Sequence, residues 1–170
     1  PAGADPAADG FAVRPVDASN LDAVLALEVA ESQRGLVAPA AKSVAQAAYE
    51  PASRVLALFD GADAVGLLLL YDARLDDERP ANQLYVWRLM VDHRHQRRGI
   101  GRRAMAWVID EARRLGMTEV GLSHQTLEGH AGPFYEKLGF AYTGQVVDGE
   151  RKMLLRLPLA AGTDSSAEIC

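Results

Sequence analysis

The sequence predicts one mixed α/β domain, a central and mostly antiparallel sheet flanked by helices. Three observations predict it. Two β-rich runs, RVLALF (54–59) and AVGLLLLY (64–71), are joined by Asp60-Gly61-Ala62-Asp63, the composition of a hairpin connection. A further strand pattern, LYVWRLMV (84–91), leads through a basic, glycine-bearing loop into residues 99–115. There Ile100, Ala104, Val108, Ala112 and Leu115 recur at helical spacing. Beyond that helix, strand and helix patterns alternate, which places helices on the faces of a mixed sheet.

The elements follow in order. FAVRPV (11–16) reads as a first strand. Ser19 then stands as an N-cap, with Asp22 in the first turn and Leu21, Val24, Leu25 and Val29 as an apolar stripe that Gly35 ends. Ser43 with Gln46 has the spacing of a capping box, so 44–50 is a short second helix stopped by Pro51. After the hairpin, DARLDDERPANQ (72–83) is polar and carries a proline, hence a loop. Gly116 closes the long helix and TEVGLS (118–123) is a strand. GPFYEKLG (132–139) is a short helix with Pro133 in its first turn. FAYTGQVV (140–147), a turn at Asp148-Gly149 and RKMLLRLPL (151–159) complete the domain, taken as residues 11–159. Residues 1–10 and 160–170, rich in small and polar residues, read as a flexible leader and tail.

Composition removes several classes. With 170 residues and 49% hydrophobic content the chain can bury a core without staples. Its one cysteine, Cys170, cannot close an internal disulfide. No apolar run approaches the roughly 20 residues of a membrane helix, and PAGADPAADG lacks the features of a signal peptide. A cytoplasmic protein without a membrane partner is expected. A net charge of -5 weighs against nucleic acid as a partner.

Against that acidic background, DHRHQRRGIGRR (92–103) carries five arginines and one acid, Asp92. The segment joins a strand to a helix, where backbone N–H groups lack internal partners and the helix dipole is positive. Gly99 and Gly101 would let a ligand approach the backbone closely. The combination suits an anion, and a diphosphate is the natural guest. It is not a Walker A loop, because no Lys-Ser/Thr pair follows the second glycine, nor the dinucleotide fingerprint, because the third glycine is absent.

Gln96-Arg97-Arg98-Gly99-Ile100-Gly101 resembles the Q/R-x-x-G-x-G/A signature of the GNAT acetyltransferase superfamily. Leu89-Met90-Val91 is similar to that family's splayed central strand, and Phe134-Tyr135-Glu136-Lys137-Leu138-Gly139-Phe140 to its FYEKLGF segment. The resemblance covers essentially residues 11–159 and implies a GNAT fold with acetyl-CoA as cosubstrate and no metal. Carried over by position, it implies that Leu89, Met90 and Val91 meet the pantetheine arm. Gln96, Arg97, Arg98, Gly99, Ile100 and Gly101 would surround the pyrophosphate, with Arg102 and Arg103 near the outer phosphates and Phe134 and Lys137 also on the cofactor side. Tyr135 would be the acid that protonates the leaving sulfur.

Acetyl transfer to an amine needs a neutral amine, a stabilised carbonyl oxygen and a protonated leaving group. The resemblance points to no single base. In ribosomal-protein alanine N-acetyltransferases a glutamate on the strand before FYEKLGF serves, but the matching residue here is Ser123. An asparagine common ahead of that segment is replaced by Glu128. His124 is expected to point away, as the neighbour of an inward-facing strand position. Glu28 or Glu31, working through water, are the remaining acids.

For the acceptor, Tyr85 and Trp87 alternate on one strand face and could hold a cation. Asp72, Asp76, Asp77 and Glu78 make an acidic loop leading to that strand. LEVAESQRGLVAPAAKSVAQA (27–47) with WRLMVD (87–92) resembles the polyamine and diamine acetyltransferase-like branch. The expected function is acetyl transfer to a small cationic amine, with Glu28, Tyr85 and Trp87 at the acceptor. A protein N-terminus or lysine is the alternative acceptor, and an acyl-CoA-binding regulatory module the alternative class. The expected partner is a small-molecule amine; a second copy of the chain, as a homodimer, is compatible.

Overall fold

The structure is a computed structural model that describes residues 10–76 and 81–158. Asp77 and Glu78, most of the leader and all of the tail lie outside the described residues. The strands are β1 (Phe11–Pro15), β2 (Ser53–Asp60), β3 (Asp63–Asp72), β4 (Gln83–Val91), β5 (Glu119–His124), β6 (Ala141–Val147) and β7 (Glu150–Arg156). The helices are α1 (Leu21–Leu25), α2 (Ala40–Tyr49), α3 (Ile100–Arg114) and α4 (Gly132–Lys137). One seven-stranded sheet runs β1-β2-β3-β4-β5-β7-β6. Only β4 and β5 pair in parallel; every other pairing is antiparallel. The sheet is therefore the mixed, mostly antiparallel one expected. Among the described residues no helix is long and apolar enough to cross a membrane.

Strands β2 and β3 are covered on both faces, which is why their sequences run apolar without a break. Leu56, Leu58, Leu68 and Leu70 join the core beneath α3, with Ile100, Met105 and Val108. Ala57, Phe59 and Leu67 join a second core with Val24, Leu27, Ala40 and Met90, on the side of α1 and α2. Gly66 sits between β2 and β4 so tightly that a Cβ there would collide with the Met90 carbonyl.

Two N-terminal helices differ from expectation. The helix foreseen from Ser19 to Gly35 stops at Leu25, and a single 3-10 turn follows at Glu31–Gln33. The chain is pulled straight between them because Glu28 N–H donates to the Asp92 carboxylate and the Glu28 carbonyl accepts from His93 N–H. Ser19 does not cap; its hydroxyl donates to Asp17, and the cap position is Asn20. The second helix begins at Ala40, earlier than residue 44. Ser43 and Gln46 lie inside it and bind the Arg88 guanidinium, so their spacing served a tertiary contact and not a capping box.

The arrangement that creates the site is a parting of strands. β4 and β5 pair from Gln83↔Glu119 to Val86↔Leu122 and no further. On the other edge of β4 the register slips: Leu69 faces Arg88 while Leu70 faces Val86, leaving Trp87 as the extra residue of a bulge. A bulge bends its strand and increases the local twist. The ends of β4 and β5 consequently diverge, and each exposes a backbone edge to the space between them.

Candidate functional site

The divergence opens a cleft of about 940 Å³. Leu89, Met90 and Val91 line one side and Ser123 and His124 the other. The start of α3, the start of α4 and residues 33–39 close the remainder.

The loop from β4 to α3 is built around a buried acid. Asp92 is fully buried and accepts bonds from Glu28 N–H (3.1 Å), Arg94 N–H (2.9 Å) and the Arg94 guanidinium (2.8 and 3.0 Å). Burial pushes its carboxyl upward, but the bonds from Arg94 and Glu28 outweigh that and hold it well below the usual range. Gln96 completes the brace, its amide donating to the Val91 carbonyl at 3.1 Å and to Gln33 Oε1 at 2.6 Å. Arg97 and Gly99 both take left-handed backbone, φ 62° and 78°. The first i→i−4 bond of α3 runs from Arg103 N–H to the Gly99 carbonyl, 3.0 Å, so the amides of Ile100, Gly101 and Arg102 precede the helical ladder. Gly101 lies against α4: a Cβ there would stand 3.3 Å from the Phe134 ring.

Of the residues expected near the cosubstrate, Leu89, Met90, Val91, Gln96, Arg97, Gly99, Ile100, Gly101, Arg102 and Phe134 all line the cleft. Three others are placed elsewhere. The Arg98 guanidinium binds His95 Nδ1 (2.9 Å) and Asp60 (3.3 Å). Arg103 lies 3.8 Å from Asp60 and over the Phe11 ring. Both side chains turn toward β1 and β2, because the carboxylate at the end of β2 attracts them. Lys137 is exposed at the far end of α4.

Tyr135 lies on the cleft wall with its ring packed edge-on against Phe134 (5.0 Å) and Phe140 (5.8 Å). Burial pushes its phenol well above the ordinary value, so the hydroxyl keeps its proton throughout neutral pH.

The residues expected at the acceptor are placed differently from expectation. Trp87 lines the cleft, in edge contact with Tyr71 at 6.3 Å. Tyr85 is not on that wall; its hydroxyl donates to Ser123 Oγ at 2.9 Å. Glu28 is held by its backbone to Asp92 and His93 with its side chain exposed, and Glu31 pairs with Arg34 on the surface at 2.8 Å. Neither stands on the cleft wall. His124, expected to point away, does border the cleft. Its Nδ1 meets the Gln125 carbonyl at 2.7 Å, its Nε2 the Tyr142 hydroxyl at 3.1 Å, and its ring stacks on His130. Ser123 and His124 both border the cleft although β5 stays paired with β7 through His124↔Arg151, so alternation along the strand does not separate them there. In the acidic loop, Asp72 is buried and clamped by Arg74, and Asp76 accepts from the Tyr71 hydroxyl at 2.5 Å.

Two cleft residues escaped the sequence reading. Glu150, first residue of β7, receives the Ser123 hydroxyl and the Gln125 amide, the latter at 3.1 Å. A carboxylate thus stands beside the position where the sequence shows only a serine. Arg88, in the bulge, binds Gln46 Oε1 at 2.5 Å and Ser43 Oγ at 3.4 Å through Nη1. Nothing local marks Glu150, since its place depends on β7 pairing with β5. The bulge likewise hid Arg88, because strict alternation assigns it to the face opposite Trp87.

The sequence profile of the acetyltransferase (GNAT) family matches residues 21–140. An 81-residue stretch is 36% identical to N-acetyltransferase 8 of Homo sapiens, covering 48% of this chain and 34% of that protein. The match thus spans about a third of that relative's length. Among solved structures, an acetyltransferase from Thermus thermophilus superposes with TM-score 0.69 at 20% identity, over 86% of this chain and 97% of the other. The PaiA N-acetyltransferase of Thermoplasma acidophilum in complex with coenzyme A gives 0.63 at 14% identity, over 86% and 98%.

Proposed function

The chain belongs to the acetyltransferase (GNAT) family, and from that premise we propose that it transfers the acetyl group of acetyl-CoA directly to a primary amine of a small molecule. The observation that carries the reading is the parting of β4 and β5 beside the open start of α3, with the protonated Tyr135 in the same cleft. These residues fit an acyl-CoA. The diverging strand edge offers backbone groups to an amide-bearing arm. The helix start offers open amides beside Gly99, in left-handed backbone, and Gly101, where a Cβ would stand 3.3 Å from Phe134, and Arg97 and Arg102 add positive charge.

In this reading Met90 and Val91 orient the arm and the amides of residues 97–102 hold the diphosphate. Acetyl-CoA supplies the activated acetyl thioester. Tyr135 delivers the proton of its hydroxyl to the departing sulfur. The cationic character expected of the acceptor gains little support. Asp72 and Asp76 are occupied by Arg74 and Tyr71, and neither is on the cleft wall. Among the described residues that wall carries Arg34, Lys42, Arg88, Arg97 and Arg102 against the single acid Glu150, a field that repels polycations.

The test is a thermal shift with acetyl-CoA followed by thiol release against small amines, polyamines and peptides with free N-termini. Stabilisation by acetyl-CoA with turnover of a small amine supports the proposal. Turnover of peptides alone makes the protein an acetyltransferase of protein acceptors. Stabilisation without any turnover makes it a binding module.

A further inference from the structure

The acceptor end of the cleft holds a cation and an anion, and each has a distinct environment. Arg88 is half-buried on the cleft wall. Both of its hydrogen bonds come from Nη1 and go to neutral oxygens, those of Ser43 and Gln46. Among the described residues no carboxylate lies within ion-pair distance of it, and Nε and Nη2 carry no hydrogen bond. A half-buried guanidinium with no counter-ion and an unbonded edge still open to the cleft is placed to receive an anion. Burial accordingly lowers its pKa, only partly offset by the charge of Glu150. The Trp87 ring, 5.6 Å from the guanidinium carbon, restricts its movement from one side.

Glu150 is the single carboxylate on the wall among the described residues, and it is oriented by Ser123 and Gln125. Ser123 is itself held by the Tyr85 hydroxyl. That relay fixes a carboxylate on the β5 side of the cleft. The two charges line one cleft, Arg88 on its β4 side and Glu150 beside Ser123 of β5, and feel each other without forming an ion pair. A ligand carrying both signs would satisfy each.

We propose that the acceptor is an amino acid-like molecule, with a carboxylate bound by Arg88 and its amine directed to Glu150. The free Nε–Nη2 edge of Arg88 has the planar fork that takes a carboxylate in bidentate fashion. At Glu150 the balance is simple. The ammonium gives one proton to the carboxylate, and the freed lone pair forms the new N–C bond as the C–S bond of the thioester breaks. The second N–H proton leaves as the amide forms and restores the Tyr135 hydroxyl that protonated the sulfur. Glu150 returns its proton to solvent, so one proton is released overall. This assignment rests on the transferase reading above.

The experiment compares matched acceptors, amino acids and the amines left by their decarboxylation, in thiol release at fixed acetyl-CoA. Rates are expressed per unit of neutral amine, because the carboxylate lowers the amine pKa. The expected result is that the amino acids are favoured in kcat/KM by about 30-fold or more, the effect of one buried charge contact. Arg88→Gln should shrink that ratio toward one, with the acetyl-CoA dissociation constant measured alongside by calorimetry. Arg88→Lys should restore part of the preference, since it keeps the charge but loses the fork. Equal or better use of the decarboxylated amines by the unaltered protein overturns the assignment, whatever the variants do. So does an unchanged ratio in a folded Arg88→Gln protein that still binds acetyl-CoA. Tight acetyl-CoA binding with no turnover of any amine defeats the transferase reading itself and takes this assignment with it.

Discussion

The Ser123 hydroxyl donates to the carboxylate of Glu150, so an acid from the first residue of β7 stands beside the open end of β5. Those strands are hydrogen-bonded neighbours, with Ser123 opposite Lys152 and His124 opposite Arg151. Glu150 projects from just beyond that pairing into the cleft, and Gln125 holds its other oxygen. In the cleft this acid stands where the sequence alone led to the expectation of Glu28.

Replacing Glu150 with glutamine keeps the size and much of the hydrogen bonding while removing the charge. Turnover of the preferred amine should fall by about 100-fold, the usual scale for a lost general base. Acetyl-CoA affinity should hold. Ser123→Ala, which only loosens the carboxylate, should cost far less. Steady-state kinetics of both variants against the amine provides the check; equal losses would make Glu150 a structural tie.

Tyr135→Phe removes one hydroxyl and leaves the packing on Phe134 and Phe140 intact. The expected loss in kcat is about 100-fold or more, with little change in acetyl-CoA binding. Because burial raises the phenol pKa, ionisation of Tyr135 should produce no fall in activity between neutral pH and its ordinary value of about 10. A pH profile of the unaltered protein, read against that of Tyr135→Phe, tests both statements.

Gly101→Glu puts a carboxylate at the helix start, in the path of the diphosphate. Its Cβ would also press on Phe134, 3.3 Å away, so that ring must yield by a few tenths of an ångström. Gly101→Ala carries the same crowding without the charge and separates the two effects. The glutamate variant should lose the acetyl-CoA thermal shift, and the alanine variant should keep part of it. A folded Gly101→Glu protein with normal affinity would falsify the diphosphate site.

Asp92 couples stability to the site. Alanine there strands the Glu28 and Arg94 amides and should cost about 2 kcal/mol, the scale of hydrogen bonds to a charged acceptor. The carboxyl is depressed in the folded state. Its stabilisation is therefore complete above the unfolded value of about 4 and fades as pH falls below it. Denaturant unfolding at neutral and acid pH should show a difference between Asp92→Ala and the unaltered protein that narrows on acidification.

Short-range patterns carried most of the fold and half of the site. The Asp-Gly connection specifies a hairpin, and the helical spacing from Ile100 to Leu115 specifies α3. A basic loop with Gly99 and Gly101 specifies a helix start with open backbone amides among positive charge wherever the rest of the chain goes, because it consists of backbone geometry and local charge. The presence of Glu150 and Arg88 in the cleft was beyond such reasoning. Glu150 reaches the cleft through pairing between strands distant in sequence, and Arg88 through a one-residue bulge that no local preference announces. The same holds for Arg98 and Arg103, drawn to Asp60 from another strand, and for α1, cut short by the bonds of Glu28 to Asp92 and His93. Hydrophobic period and turn chemistry act within a few residues. The direction of a charged side chain is settled by the opposite charges and free hydrogen-bonding groups that folding brings near it, and those come from anywhere in the chain.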